Sequence, residues 1–142
     1  MGFAKSLSPY LLSVLRIMTG LLLLQHGAGK WLGFPAGVTG YPQSFSNLIS
    51  GLPGSFISSG MAGLFEIVGG VLIILGLFTR PVALILSGMT AVAYFYVHAP
   101  RGFYPILNGG ELAALYAFVF LYLFAAGGGA WSLDRLWRSD KD

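Results

Sequence analysis

Cysteine is absent from the 142 residues, and charge is scarce. Without a thiol the chain forms no disulfide, holds no metal through thiolate and runs no thiol redox chemistry of its own. Any such chemistry needs a partner protein. Only 9% of the residues are charged, whereas ordinary soluble domains carry roughly 25%. With a mean hydropathy of +0.76, that shortfall puts the chain in the membrane class. Basic clusters are lacking as well. The net charge is +3, yet no Lys/Arg run and no basic face with interleaved aromatics occurs, which excludes nucleic acid as a partner. No Walker A, GxSxG or HExxH pattern is found. Neither Gly27–Ala28–Gly29 nor Gly127–Gly128–Gly129 stands between a strand and a helix, as a nucleotide loop does. Period-2 alternation is missing, and four spans are too few to close a membrane β-barrel.

What the chain does have is apolar runs at 10–27, 56–78, 81–97 and 111–126. About 20 helical residues cover a ~30 Å hydrocarbon core at ~1.5 Å per residue. In lipid a span must satisfy its backbone hydrogen bonds internally, so helices are expected. The reading is an all-α membrane protein of one domain, 1–142, built as a four-transmembrane-helix antiparallel bundle. The first run, with Lys5 before it, resembles a signal peptide, but Arg16 inside it argues for a retained signal-anchor helix. Thr79 and Arg80 are almost the whole link between the second and third runs, so these form a hairpin. The link from Ala28 to Ser55 is long, and its 44–49 stretch is mildly amphipathic, suited to a short surface helix. Lys5, Arg80, Arg135, Arg138 and Lys141 fall on the termini and the short link; Lys30 and Arg101 fall on the other loops. Positive charge marks the cytoplasmic side. Both termini are therefore expected to be cytoplasmic, with the long loop between helices 1 and 2 external. Ala83, Ser87 and Ala91, and Gly109, Ala113 and Ala117, recur every four residues and mark close-packing faces. Trp131 and Trp137 are interface anchors, as are Tyr41, Phe95, Phe103 and Tyr104.

Charges inside apolar runs cost at least ~2.5–3.5 kcal/mol each at the bilayer centre, so they persist only if paired, hydrated or used. Arg16 lies ten residues before His26, and Glu66 ten after Phe56. Counted from those outer ends, both sit ~15 Å deep on antiparallel helices, which makes them expected partners. Such a pair is either a structural strut or an anchor for a carbonyl-bearing ligand. A shallower layer gathers His26, Lys30, His98, Asn108 and Glu111 from three helices, with Tyr94 one turn from His98. Two histidines and a carboxylate are suited to proton transfer with a quinone, or to a metal. The expected catalytic residues are His26, His98 and Glu111. The expected ligand-binding residues are Arg16, Lys30, Glu66, Tyr94 and Asn108. No metal site is assigned; a quinone is favoured over a metal at His26, His98 and Glu111.

Several short motifs stand in one order: Arg16, His26-Gly27 with Lys30, Glu66-x-x-Gly69-Gly70, Gly76-Leu77-x-Thr79-Arg80, Asn108-Gly109-Gly110-Glu111 and Trp131-Ser132-Leu133-Asp134. Together they resemble the DoxX family along nearly the whole chain. The resemblance implies a multi-pass inner-membrane protein of four helices. It also implies kinship with the small membrane subunit of a thiosulfate:quinone oxidoreductase and with membrane redox and thiol-stress systems. The expected function is a membrane subunit of an oxidoreductase or redox-stress system that binds a quinone or similar apolar ligand and needs a redox partner protein. Lipid is a further partner, and homo-oligomerisation stays open. The rival class is a non-enzymatic scaffold or assembly factor with a structural Arg16–Glu66 pair. A small transporter is a third class, disfavoured because four spans leave little room for alternating access.

Overall fold

The first helix, α1 (Gly2–Leu32), runs unbroken for 31 residues in the computed structural model, which describes residues 2–35 and 59–139. It passes through Pro9 and continues five residues beyond the expected end. The first apolar run ends at Gly27 in the sequence, but Gly27 and Gly29 are both buried inside α1. A Cβ at Gly27 would lie 2.8 Å from the Gly63 carbonyl oxygen, so this glycine allows two helix backbones to meet rather than ending one of them. The expected surface helix at 44–49, Tyr41 and the rest of the long link lie outside the described residues.

The partner of α1 is α2 (Ser59–Leu75). It stops at Gly76, where φ is +67°, a conformation that favours glycine. The Leu77 amide donates to Leu72 and the Gly76 amide to Ile73, a Schellman closure of the helix end. The chain turns at once into α3 (Thr79–Ala93). A π-helical turn, Tyr94–His98, and a 3-10 turn, Ala99–Arg101, continue it. After a single turn of helix, α4 (Pro105–Asn108), comes α5 (Glu111–Ala126). Gly127, with φ +86°, ends α5, and α6 (Leu133–Ser139) closes the described chain.

All regular structure among the described residues is helical. α1 and the continuous stretch Thr79–Arg101 are long and apolar enough to cross a membrane; Gly60–Leu75 and Glu111–Ala126 are shorter apolar helices. α1 packs along α2, and α3 along α5, more extensively than the two pairs pack on each other. Ser87 donates to the Ala117 carbonyl at 2.8 Å across the second pair. Ala83 and Ser87 of the expected small-residue face are buried there. In the other expected stripe Gly109 is exposed, and it is Gly110 that is buried.

The distribution of side chains is inverted relative to a soluble domain. Leu11, Met18, Val68, Ile85, Leu115 and Phe118 face outward. Ser13, Arg16, Thr19, Glu66, Thr79 and Thr90 are buried with a small apolar core of Leu23, Ile73, Leu86, Phe120 and Leu123. Water would penalise that arrangement, whereas lipid favours it, because the outer surface then needs no polar groups.

Candidate functional site

Two polar layers cross the bundle, one near each end. The first is built on Arg16, which is wholly buried. Its Nε donates to the Gly128 carbonyl at 2.8 Å and its Nη1 to the Ile74 carbonyl at 2.6 Å. Nη1 also donates to the carbonyl of Ile73, and Nη2 to that of Trp131. Ile73 and Ile74 belong to the last turn of α2, where carbonyls have acceptor capacity to spare beyond the Gly76 bond to Ile73 and the helix dipole is negative. A guanidinium satisfies both requirements. Gly76 makes room for it, because a Cβ there would come within 2.9 Å of Arg16 Cζ. Around this hub, Ser13 Oγ accepts from the Trp131 amide at 3.0 Å, and the Pro9 carbonyl accepts from the Ala130 amide at 3.0 Å. Asp134 caps α3 from α6, accepting from the Phe78 and Thr79 amides at 2.7 and 2.8 Å.

The expected Arg16–Glu66 pair is therefore not formed. Glu66 instead binds Lys30, whose Nζ stands 2.6 and 2.8 Å from the two carboxylate oxygens. The reason is register. Gly27 meets Gly63 and Ile67, and Gly20 meets Gly70 and Ile74. In that register Glu66 is level with the last turns of α1, and Arg16 with the end of α2. Counting depth from His26 and Phe56 placed the helix ends wrongly, because α1 continues to Leu32.

The second layer holds Lys30, Glu66, His26 and Tyr116. The Glu66 side chain is 10% exposed and that of Lys30 24%. The His26 ring is exposed at the bundle surface and lies edge-on to Tyr116, with centroids 6.2 Å apart. Tyr116 is buried and stacks on Phe120 at 5.7 Å. Its hydroxyl is buried with no hydrogen-bond partner among the described residues. A buried polar atom left unpaired costs about 1–3 kcal/mol, so the Tyr116 hydroxyl is a feature that packing alone does not explain. Sequence reasoning missed Tyr116; it is one of two phenols in the apolar run, and only the structure separates buried Tyr116 from exposed Tyr122.

His98, Asn108 and Tyr94 form a separate knot. His98 Nδ1 lies 3.2 Å from the Asn108 carbonyl oxygen, which only accepts, so Nδ1 carries the proton. Asn108 is buried, donates to the Gly102 carbonyl at 2.9 Å and accepts from the Gly110 amide at 2.8 Å. Its amide also reaches the Tyr94 hydroxyl at 3.4 Å. The π turn rotates Tyr94 and His98 towards the start of α5, where Gly110 fits under both. Glu111 is exposed. His26, His98 and Glu111 thus do not converge: no group of three or more His, Asp or Glu among the described residues is placed to hold a metal ion.

Residues 11–99 match the DoxX family. The chain belongs to that family. The DoxX match takes in Arg16, His26, Lys30, Glu66 and His98, and stops before Asn108, Glu111 and Tyr116. A Haemophilus influenzae protein is 47% identical over 89% of this chain and 90% of its own length. The inner membrane protein YqjF of Escherichia coli is 31% identical over 93% of this chain and 95% of its own. A membrane protein of Mycobacterium tuberculosis, Rv3486, is 28% identical over 85% and 77%. No solved structure matches. As a DoxX protein this chain resides in the cell inner membrane.

Proposed function

We propose that this DoxX protein is a membrane subunit of an oxidoreductase system that binds a quinone-like ligand at the Lys30–Glu66–Tyr116–His26 layer. The observation that carries this reading is the buried, unpartnered Tyr116 hydroxyl beside the exposed His26 ring. A quinone carbonyl accepts hydrogen bonds, and Tyr116 has one to donate. Lys30 donates as well, held by Glu66. His26 opens the layer to the bundle surface, where an apolar ligand arrives through lipid. Reduction of a quinone takes two electrons and two protons. His26 and the Lys30–Glu66 pair are the proton-handling groups, and a redox partner protein supplies the electrons.

In this proposal α1, α2, Thr79–Arg101 and α5 all cross the membrane, antiparallel in sequence order. At ~1.5 Å per residue the 16 to 17 residues of α5 and α2 span ~24–26 Å, enough with flanking turns. The distribution of Lys and Arg supports cytoplasmic termini. The Arg16 hub then lies towards the cytoplasm and the Glu66 layer towards the outside.

The test is titration of the protein in lipid nanodiscs with a short-chain ubiquinone. Saturable, equimolar binding is expected, weakened about tenfold by Tyr116→Phe, the loss of roughly one ~1.4 kcal/mol hydrogen bond. Absence of saturable binding rejects the reading. One observation favours the scaffold instead: the Arg16 donors are spent on backbone carbonyls, as in a purely structural hub. That reading expects no quinone binding and no effect of Tyr116→Phe beyond stability.

A further inference from the structure

At the Arg16 end a cavity of about 620 Å³ opens between the start of α3, the Gly127–Gly129 turn and α6. That volume lies within the usual range of small-molecule sites, ~300–1,000 Å³. Its walls differ in character. Leu12, Phe78 and Trp137 form an apolar side, with Phe78 and Trp137 edge-to-face at 5.8 Å. Thr79, Arg80 and Arg135 form a polar side.

Three features of the polar side point to an anion. Arg80 donates through Nη1 to the carbonyls of Phe124 and Ala125, at 3.1 and 2.8 Å. Its Nε and Nη2 have no partner among the described residues. Gly127 leaves them uncovered, since a Cβ there would stand 3.6 and 3.5 Å away. Arg135 is exposed and holds only a 3.5 Å contact to the Ala130 carbonyl. Thr79 is 0% exposed, lines the same cavity, and its hydroxyl has no partner among the described residues. Asp134 also lines the cavity, but both its oxygens are taken by the Phe78 and Thr79 amides, which offset its charge.

We propose that this cavity binds the phosphate of an anionic membrane phospholipid, with Arg80, Arg135 and the Thr79 hydroxyl on the phosphate and Leu12, Phe78 and Trp137 along the glycerol and acyl part. A fork-shaped guanidinium suits phosphate oxygens. The apolar wall, and the exposed Trp131 and Trp137 at this end, favour a lipid over a soluble phosphate ester. Anionic lipid also concentrates where Lys and Arg gather at a membrane surface. The site is independent of the quinone layer, which lies at the opposite end of the bundle.

Native mass spectrometry of protein released from nanodiscs tests this, with phosphatidylglycerol and phosphatidylcholine compared at equal content. Retention of one phosphatidylglycerol per chain is expected, at least fivefold above phosphatidylcholine. Arg135→Gln and Thr79→Val should each cut that retention at least threefold while leaving Tm within a few degrees. Inorganic phosphate at 10 mM should not displace the lipid. Equal retention of the two lipids overturns the proposal, as does wild-type retention by both variants. Displacement by inorganic phosphate overturns the lipid as source and leaves a soluble phosphate site.

Discussion

Arg16 and Glu66 both bring charge into an apolar bundle, yet Arg16 gives its donors to backbone carbonyls, whereas Glu66 shares its oxygens with one side chain, Lys30. The Arg16 side chain is closed in: four of its N–H bonds are directed at four carbonyls and the neighbouring Ser13 and Asp134 are satisfied, so the unpaired Thr79 hydroxyl belongs to the adjoining cavity and not to the hub. The Glu66 layer is open: Tyr116 keeps an unused hydroxyl, and His26 faces outward. A charge bound to backbone acceptors at a helix end cannot move without undoing the fold. One bound to a partly exposed lysine can exchange partners with a ligand. The difference separates a charge held by the backbone from one held by a single side chain inside the same membrane protein.

The largest expected effect is at the closed layer. Arg16→Met takes the side-chain donor from the Ile74, Gly128 and Trp131 carbonyls and leaves Ile73 only the Gly76 amide, in a place lipid cannot satisfy. Losing one member of a buried charged network costs of order 3–5 kcal/mol, enough to remove most folded protein from the membrane. Arg16→Lys should fare little better, since one ammonium has three N–H bonds in place of the four used. Normal yield and Tm of Arg16→Met, read by size-exclusion chromatography in detergent, would erase the distinction between the layers.

A smaller effect is expected at the open layer. Glu66→Gln removes the countercharge of Lys30 and leaves it one amide oxygen as acceptor, a loss of at most ~1.5–3 kcal/mol, reduced because Lys30 is partly exposed. Replacing both partners, Lys30→Met with Glu66→Leu, should restore Tm to near wild type, because an apolar pair needs no compensation. The same double variant should bind no quinone. If it instead stays as unstable as the single variant, the Lys30–Glu66 pair is structural and the contrast with Arg16 fails.

These layers were legible in the sequence to different degrees. Helical character, the hairpin at Thr79–Arg80 and the anomaly of Arg16 and Glu66 all follow from composition and spacing. The pairing of those two charges did not, because helix register depends on where α1 and α2 stop. Gly27 ends an apolar run in one dimension and proves to be a contact between backbones in three. The partners of Arg16 could not be read at all: they are carbonyls of Ile73, Ile74, Gly128 and Trp131, and no side-chain pattern announces a carbonyl. Asp134 was visible within Trp131-Ser132-Leu133-Asp134, but its place as the cap of α3 depends on the turn at Gly127 bringing α6 back. His98 and Glu111 reach the same end of the bundle as His26, yet level is not contact, and the π turn commits His98 to Asn108.

The smallest effect is the most discriminating, because stability alone changes in one reading of the open layer, whereas stability and quinone affinity change together in the other. Tyr116→Phe removes a hydroxyl that is buried and unpaired, and keeps the ring that packs on Phe120 and His26. Taking away an unsatisfied buried polar group stabilises by about 1 kcal/mol, which in a domain of this size raises Tm by roughly 2–5 °C. A residue kept only for packing would lose nothing by the change. A residue kept for a ligand should gain stability in the free protein and lose quinone affinity together, the usual cost of a polar group reserved for binding. Thermal unfolding with and without short-chain ubiquinone reads both quantities at once: the variant should melt above wild type alone and show less ligand-induced shift. A variant that melts below wild type would mean that the Tyr116 hydroxyl is already paired in the membrane, and the open layer would then be as closed as the one around Arg16.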